Sequence, residues 1–461
     1  MTGGLILPMH VSLRLRIAVL VGCLLSMVLL CLPVSVEEAV SGELTIVGAW
    51  EDEIYAQFCD AHPEVEVELK DDFFDSFDLL MQDMLSGGSA GDIYCIFVET
   101  GLEKLKARDM LAPVRSERVE QAISRCYPQI QGLLSQAGAV VAVPYTFDLY
   151  GWAYDPALWE ALNLGKFPET YLEWLEVVAH WDEAYGNHPE YKLSGNILTK
   201  ERLMDDLLRT YILQNETADA ALTFDQDDFK ACAQRIKEMQ PLFELSDAQE
   251  EAYIMKPCMM LTHAQPLGTD MEGFPSNWTM PAQVNIEKEP LVYAQMQVMF
   301  INPNTENYDA ALAYLETAIE AISPIGEAQI SPEVNEPIAD SNWSSEKEAL
   351  LEEIEQCRTD MEDADAVEKA DMQAYIDMLN QYISDKEADP WLASAEEIAA
   401  YRDVARHMYF AEHSAYLGYA QQSAYDELVG IGLQYVEGKL TQEAFIDRLN
   451  QAVYMRFTEG Q

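Results

Sequence analysis

Between Glu43 and Pro113 the period of hydrophobicity switches back and forth between that of a strand and that of a helix, and this alternation limits the fold more than any other feature. Leu44–Ala49 (LTIVGA) reads as a short apolar strand, and Glu51–Asp60 as a helix that ends before His62-Pro63. Val65–Leu69 (VEVEL) alternates strictly, as a strand with one wet face does. Phe74–Leu85 has apolar residues at helical spacing and stops at Gly87-Gly88. Asp92–Val98 (DIYCIFV) is a third strand, and Leu102–Met110 a helix that closes toward Pro113. Strands alternating with helices imply parallel βαβ units with right-handed crossovers, an α/β fold. In such sheets ligands bind beyond the carboxyl ends of strands, at a switch point of the topology.

Further along, residues 155–255 read as mostly helical, over 156–164, 169–186, 199–215 and 226–240. Met255–Thr262 and Val292–Ile301 read as buried strands, the second leading through Asn302-Pro303 into a helix over Tyr308–Ile322. Residues 345–384 form a charged amphipathic region, read as a solvated helical pair because no long heptad register holds. Residues 395–428 and 441–456 close the chain as helices. Two lobes, with the chain crossing between them more than once, fit this order.

The composition narrows the function. In 461 residues, 49% of them hydrophobic, there is material for real cores and about two or three domains. Acidic residues number 80 against 28 basic, a net charge of −52. Nucleic-acid binding needs clustered Lys and Arg, and anionic membrane surfaces repel such a chain. The charge reads first as solubility outside a cell and second as attraction of a cationic ligand.

Residues 1–41 have the layout of an export segment: Arg14 and Arg16, an apolar run from Ile17 to Leu32, Pro33, then small residues at Ala39-Val40-Ser41. A cleaved signal ranks first, an uncleaved anchor second. A lipidated Cys23 in Leu20-Val21-Gly22-Cys23 ranks third, because only six apolar residues separate it from Arg16. Each places the folded part outside the cytoplasm. The remaining Cys59, Cys95, Cys126, Cys232, Cys258 and Cys357 are scattered, without metal-ligand spacing, and read as buried free thiols before disulfides.

Several segments, taken in order, resemble the extracellular solute-binding proteins of bacterial ABC importers, in the family that includes sugar and oligosaccharide binders. "GELTIVGAW" looks like the family's opening strand and first ligand loop, and "HPEVEVEL" like its second strand. "SAGDIYCIFVET" resembles its small-Gly-Asp turn into strand three, and "LEKLKARDMLAPV" the helix that follows. "AVPYTFDLYGWAYDPALWEALNL" with "FPETYLEWLEVV" resembles the crossing into the second lobe, and "YVEGKLTQEAFIDRLNQAV" the closing helix-Gly-helix segment. Residues 324–395 depart from the pattern, being long and charged. The resemblance implies a two-lobe periplasmic-binding-protein-like fold, each lobe a mixed sheet flanked by helices, with extra C-terminal helices. Residues 42–144 and about 292–323 would form lobe 1, 145–291 lobe 2, and 324–461 a mostly helical C-terminal part packing on both.

If so, the stretch at 140–162 is a hinge: Val140–Val143 ends one lobe, Pro144 fixes the corner and Tyr145–Tyr150 runs along the cleft. An aromatic ring buries the apolar face of a pyranose, while hydroxyls at the sugar edge need carboxylates and amides. Tyr145, Phe147 and Asp148 are the ligand candidates there, against simple packing of the lobe junction, and Tyr154 and Trp159 are assigned to the core. Strand ends add Trp50 and Glu51 after strand one, Glu99 and Thr100 after strand three, and Thr262 and His263 after the lobe 2 strand. Trp278 sits in the loop GFPSNWTMPA. No motif of nucleophilic, zinc-dependent or P-loop catalysis is present, and the seven His form no metal pair. The expectation is a monomeric binder, not an enzyme, without cofactor or metal. It captures a carbohydrate between hinged lobes for ABC permease subunits at the outer face of a bacterial membrane or free outside. A secreted glycoside hydrolase, or a binder of a polyamine or peptide cation, are the alternatives.

Overall fold

The computed structural model describes residues 42–71, 74, 77–87, 90–184, 191–194, 198–216, 221–239, 260–261, 267, 285–286, 291–361, 365–388, 390–412, 416 and 422–459. Its main sheet holds six strands: β1 (Gly42–Val47), β2 (Val65–Lys70), β3 (Ile93–Phe97), β4 (Val143–Leu149), β5 (Val292–Ile301) and β6 (Met408–Tyr409). β1 is flanked by β2 and β3, both parallel to it, as the alternation in the sequence requires. Leu44 and Ile46 on one face of β1 have no exposed surface and Val47 on the other is buried too, as expected of a strand covered on both faces. β2 lies at the edge, with Glu66 and Glu68 turned to solvent, charges that discourage pairing with another sheet. β5 then runs antiparallel to β3, pairing Ile93 with Ile301 through Phe97 with Gln297.

Asp92 stitches this sheet at the amino end of β3. Its carboxylate accepts from Thr45 N at 2.8 Å and from Asn307 Nδ2, and its backbone N–H donates to Thr45 O at 2.8 Å. The glycine before it has a steric reason, since a Cβ at Gly91 would come within 2.5 Å of Val47 Cγ2.

β4 differs from the sequence reading. The strand does not end at Pro144 but runs through it to Leu149, antiparallel to β5. The register shifts between Pro144 and Thr146, so the proline sits at an irregularity where its missing N–H costs no ladder bond. The expected strand at Val140 is a separate two-residue piece, Ala139–Val140, paired with Ser135–Gln136. β6 also differs, because helix was expected through this region. The helix ends at Ala405, and Met408 and Tyr409 instead pair parallel with Val292 and Tyr293. A free stretch of β5 edge decided this, which no local propensity reports.

A second core is helical. Helix Tyr171–Ala184 contributes Trp174 and Val178, Lys200–Asn215 contributes Leu207 and Tyr211, and Asp227–Glu238 contributes Phe229 and Ile236. Helices Gln422–Val436 and Gln442–Glu459 complete the same core with Leu428, Tyr435, Phe445 and Leu449. Tyr154 stacks on Phe167 at 4.2 Å between ring centroids, and Trp159 is 3% exposed, both packing with this core.

The charged region after residue 324 is a pair of long helices, Trp343–Asp360 and Ala366–Ala388. It has a small core of its own, Ile354, Ile376, Leu379 and Ile383. At its base Ile338–Ala339 pairs with Trp391–Ala393, and Lys386 Nζ lies 3.2 Å from Asp340 Oδ2. Cys95, Cys126 and Cys232 are buried free thiols, Cys59 and Cys357 are partly buried and free, and Cys258 lies outside the described residues. Among the described residues no helix is long and apolar enough to cross a membrane.

Candidate functional site at the strand ends

The chain leaves β1 toward β2 on one side and returns to β3 on the other. The crevice beyond the carboxyl ends of β1 and β3 is therefore the switch point of this sheet. Trp50, past the end of β1, is 44% exposed, and Phe97 ends β3 with 36% exposed. The Trp50 ring packs on Tyr145, with centroids 5.1 Å apart and planes inclined at 51°. Asp52 holds this pair in place. Its Oδ1 accepts from Tyr55 N at 2.9 Å, capping helix α1 (Glu53–Ala61), and its Oδ2 accepts from the Tyr145 hydroxyl at 2.7 Å. Burial, reinforced by that bond to a carboxylate, raises the Tyr145 hydroxyl well above the usual phenol range, so it stays a donor. Glu51 is exposed beside them.

A polar stripe runs along β4 and β5. Period-two alternation puts Met296 and Ala294 in the core and leaves Tyr293, Gln295 and Gln297 on the other face. The Thr146 hydroxyl donates to Gln297 Oε1 at 3.2 Å, and the Tyr150 hydroxyl to Gln295 Oε1 at 2.9 Å. Tyr150 and Tyr293 pack at 5.4 Å, and Asp148 lies on the same β4 face as Thr146 and Tyr150. Phe147 turns to the opposite face, edge-on to Phe410 at 6.5 Å.

Glu99 ends this stripe. It sits in the turn Val98–Thr100, which Gly101 closes at φ 140°, a conformation that side chains rarely adopt; a Cβ there would also meet Phe77 at 2.5 Å. Tyr293 donates its hydroxyl to Glu99 Oε1 at 2.7 Å. Glu99 Oε2 is buried with no hydrogen-bond partner among the described residues, and the residue is only 8% exposed. Burial pushes its carboxyl up to about 7, with hydrogen bonds from Tyr293 and from its own backbone opposing the rise and Glu412 adding to it. Thr100 is half-buried at the end of the same turn.

Of the residues expected from the sequence, Trp50 and Tyr145 meet in one contact beside Glu51, and Glu99, Thr100 and Asp148 lie at the same carboxyl ends. Phe147 joins a separate contact. Thr262, His263 and Trp278 lie outside the described residues. Sequence reasoning passed over Asp52, Tyr293, Gln295 and Gln297. The alternation in VYAQMQVMFI carried the signal for the last three, masked by a reading of the whole run as buried. Among the described residues no group of His, Cys, Asp and Glu could hold a metal ion.

No family model matches the chain, and no curated protein matches it by sequence. Solved structures do match its fold. The sugar-binding protein MalE of Xanthomonas citri superposes with a TM-score of 0.55 at 13% identity, over 91% of this chain and 98% of its own. The galacto-N-biose-/lacto-N-biose I-binding protein of the Bifidobacterium longum ABC transporter gives 0.54 at 11%, over 92% and 98%. The cyclic alpha-maltosyl-1,6-maltose binding protein of Arthrobacter globiformis gives 0.53 at 13%, over 91% and 100%. The chain has the two-lobe periplasmic-binding-protein-like fold. Mixed sheet, flanking helices and additional C-terminal helices all follow that plan.

Proposed function

We propose that the chain is an extracellular solute-binding protein that captures a carbohydrate at the strand-end crevice and delivers it to an ABC permease, without catalysing a reaction. The observation that carries this reading is the exposed Trp50 ring, braced by Tyr145 and Asp52 at the switch point of the sheet. An indole held at a fixed angle offers a flat apolar face to a pyranose with little rotamer freedom left to lose. Glu51 and the Asp148 stripe supply acceptors for hydroxyls at its edge. The neighbours in fold are themselves sugar binders, which supports the same class. The main sheet, with β4 as far as Leu149, would form one lobe and the helical core from Trp159 onward the other, closing about the crossings as solute contacts favour the closed form. Residues 1–41 would direct export or anchor the protein outside.

The test is a thermal-shift screen of the chain from Gly42 onward against oligosaccharides, because a ligand of the folded state alone raises Tm by mass action. A shift with one sugar class, absent in Trp50→Ala, with the sugar recovered intact, is the expected result. Hydrolysed sugar would replace the binder with a glycoside hydrolase. A second reading, capture of a cationic solute, draws on the carboxylates Glu51, Asp148 and Glu99 at the same strand ends; a shift with polyamines and none with sugars would favour it.

A further inference from the structure

The stripe described above ends at a carboxyl whose surroundings suit its neutral form. β3 and β4 both pair with residues 297–299 of β5, so they occupy its two opposite edges. Tyr150 N donates to Tyr293 O from the β4 side, which leaves β6 on the β3 side, where Tyr409 pairs with Tyr293. β3 and β6 thus share one edge of β5, and the turn bearing Glu99 follows directly on β3 along that edge. β6 has only two paired residues, and Val292 N donates to His407 O at 3.0 Å just before them. So few ladder bonds hold this piece that it can open as a local unit, exposing Met408 and Tyr409.

We propose that β6 with the turn after it, residues 408–412, is a proton-gated strap over the strand-end site: it closes over a neutral Glu99 and opens when Glu99 ionises. The proposal rests on the solute-binding reading only in that the strap borders that site. Ionised, Glu99 would keep one buried oxygen without a donor among the described residues, which an open, hydrated arrangement relieves. The groups around it do not offer a remedy. Tyr293 on β5 already donates to Oε1; Asp148 comes from β4 and Tyr150 from just past its end, and Tyr409 from the strap has its own buried hydroxyl without a partner among the described residues. Glu412, in the strap, repels the ionised form. Lys106 is buried and donates to Gly132 O at 3.2 Å.

The direction in pH follows from linkage. The closed strap holds the Glu99 proton up to about pH 7, whereas a hydrated glutamate loses it in the ordinary carboxylate range. Closure is therefore strongest at acid pH, weakens as pH rises toward about 7, and changes no further above it.

Hydrogen exchange of peptides spanning 404–412, expressed as protection factors, reads this without any solute. Between about pH 5 and 7 protection should fall by up to about tenfold per pH unit, then level off. Glu99→Gln, neutral throughout, should stay protected at every pH. His407→Gln, which removes the histidine just before the strap, should behave as wild type. A flat wild-type profile overturns the proposal, whether or not Glu99→Gln folds, and so does a slope retained in Glu99→Gln. A strap that opens on schedule in a protein that binds no sugar would sink the solute reading and leave the gate standing; sugar binding with a flat profile would do the reverse.

Discussion

Asp52 shows how one short side chain can serve two scales at once. One oxygen caps α1 and the other holds the Tyr145 hydroxyl against the Trp50 ring. Asp52→Ala should destabilise the fold by about 1–2 kcal/mol through the lost cap and also loosen the platform, whereas Asp52→Asn should recover much of the stability. Urea unfolding of the two variants checks this, and equal losses would refute the cap. Trp50→Ala should act oppositely. With 44% of the residue exposed, its removal should move stability by no more than about 0.5 kcal/mol, while sugar affinity drops by roughly tenfold or more. Calorimetric titration alongside thermal unfolding separates the two effects.

Among the elements, the helical pair Trp343–Asp360 and Ala366–Ala388 stands apart because its apolar contacts are mostly internal. Its ends are drawn together by the pairing of Ile338–Ala339 with Trp391–Ala393. Replacing residues 343–388 by a short Gly/Ser linker should therefore leave the remaining protein folded, with Tm lowered by only a few degrees as the Lys386–Asp340 pair is lost. Circular dichroism melts decide it; loss of cooperative unfolding would show that the pair supports the main cores. β4 and β6 are the elements that local sequence described least well. Pro144 reads as a strand terminator, and the Met408-Tyr409-Phe410 run as helix, until a neighbouring strand offers its edge. β1, β2 and β3 needed no such help, since their period-two and apolar runs are bounded by helices with clear stops.

At the scale of the whole molecule, charge governs stability. Like charges summing to −52 repel in the compact state, so Tm should rise by several degrees between about 10 mM and 300 mM NaCl as the Debye length shortens. The pH dependence has the same origin in part. Burial raises Glu99 to about 7 and Asp206 to about 6, in the second case with Asp205 adding and Arg202 and Arg209 opposing. A carboxyl raised in the folded state binds its proton more tightly there than in the unfolded chain, so its contribution is full below the ordinary carboxylate range and lost as pH rises to about 7. Stability at constant ionic strength should fall from about pH 5.5 to 7.5, and Glu99→Gln should flatten part of that slope. A rise over the same interval would contradict both assignments.

What the sequence determined by itself is what local periodicity and composition encode: alternating strands and helices at 43–112 with the parallel βαβ units they imply, the aromatic and acidic residues at the strand ends, and the charge; the strand order 2-1-3 came only with the structure. Trp50, Glu99, Tyr145 and Asp148 were legible as candidates because a strand's carboxyl end is visible in one dimension. Which of them touch was not. That Asp52 ties Tyr145 to α1, that Phe147 faces away, and that Glu99 is covered with one oxygen unsatisfied among the described residues depend on segments brought together from distant parts of the chain. The closing helices likewise belong to a core begun at Trp159, since an apolar helix face specifies that it must be buried but not against what.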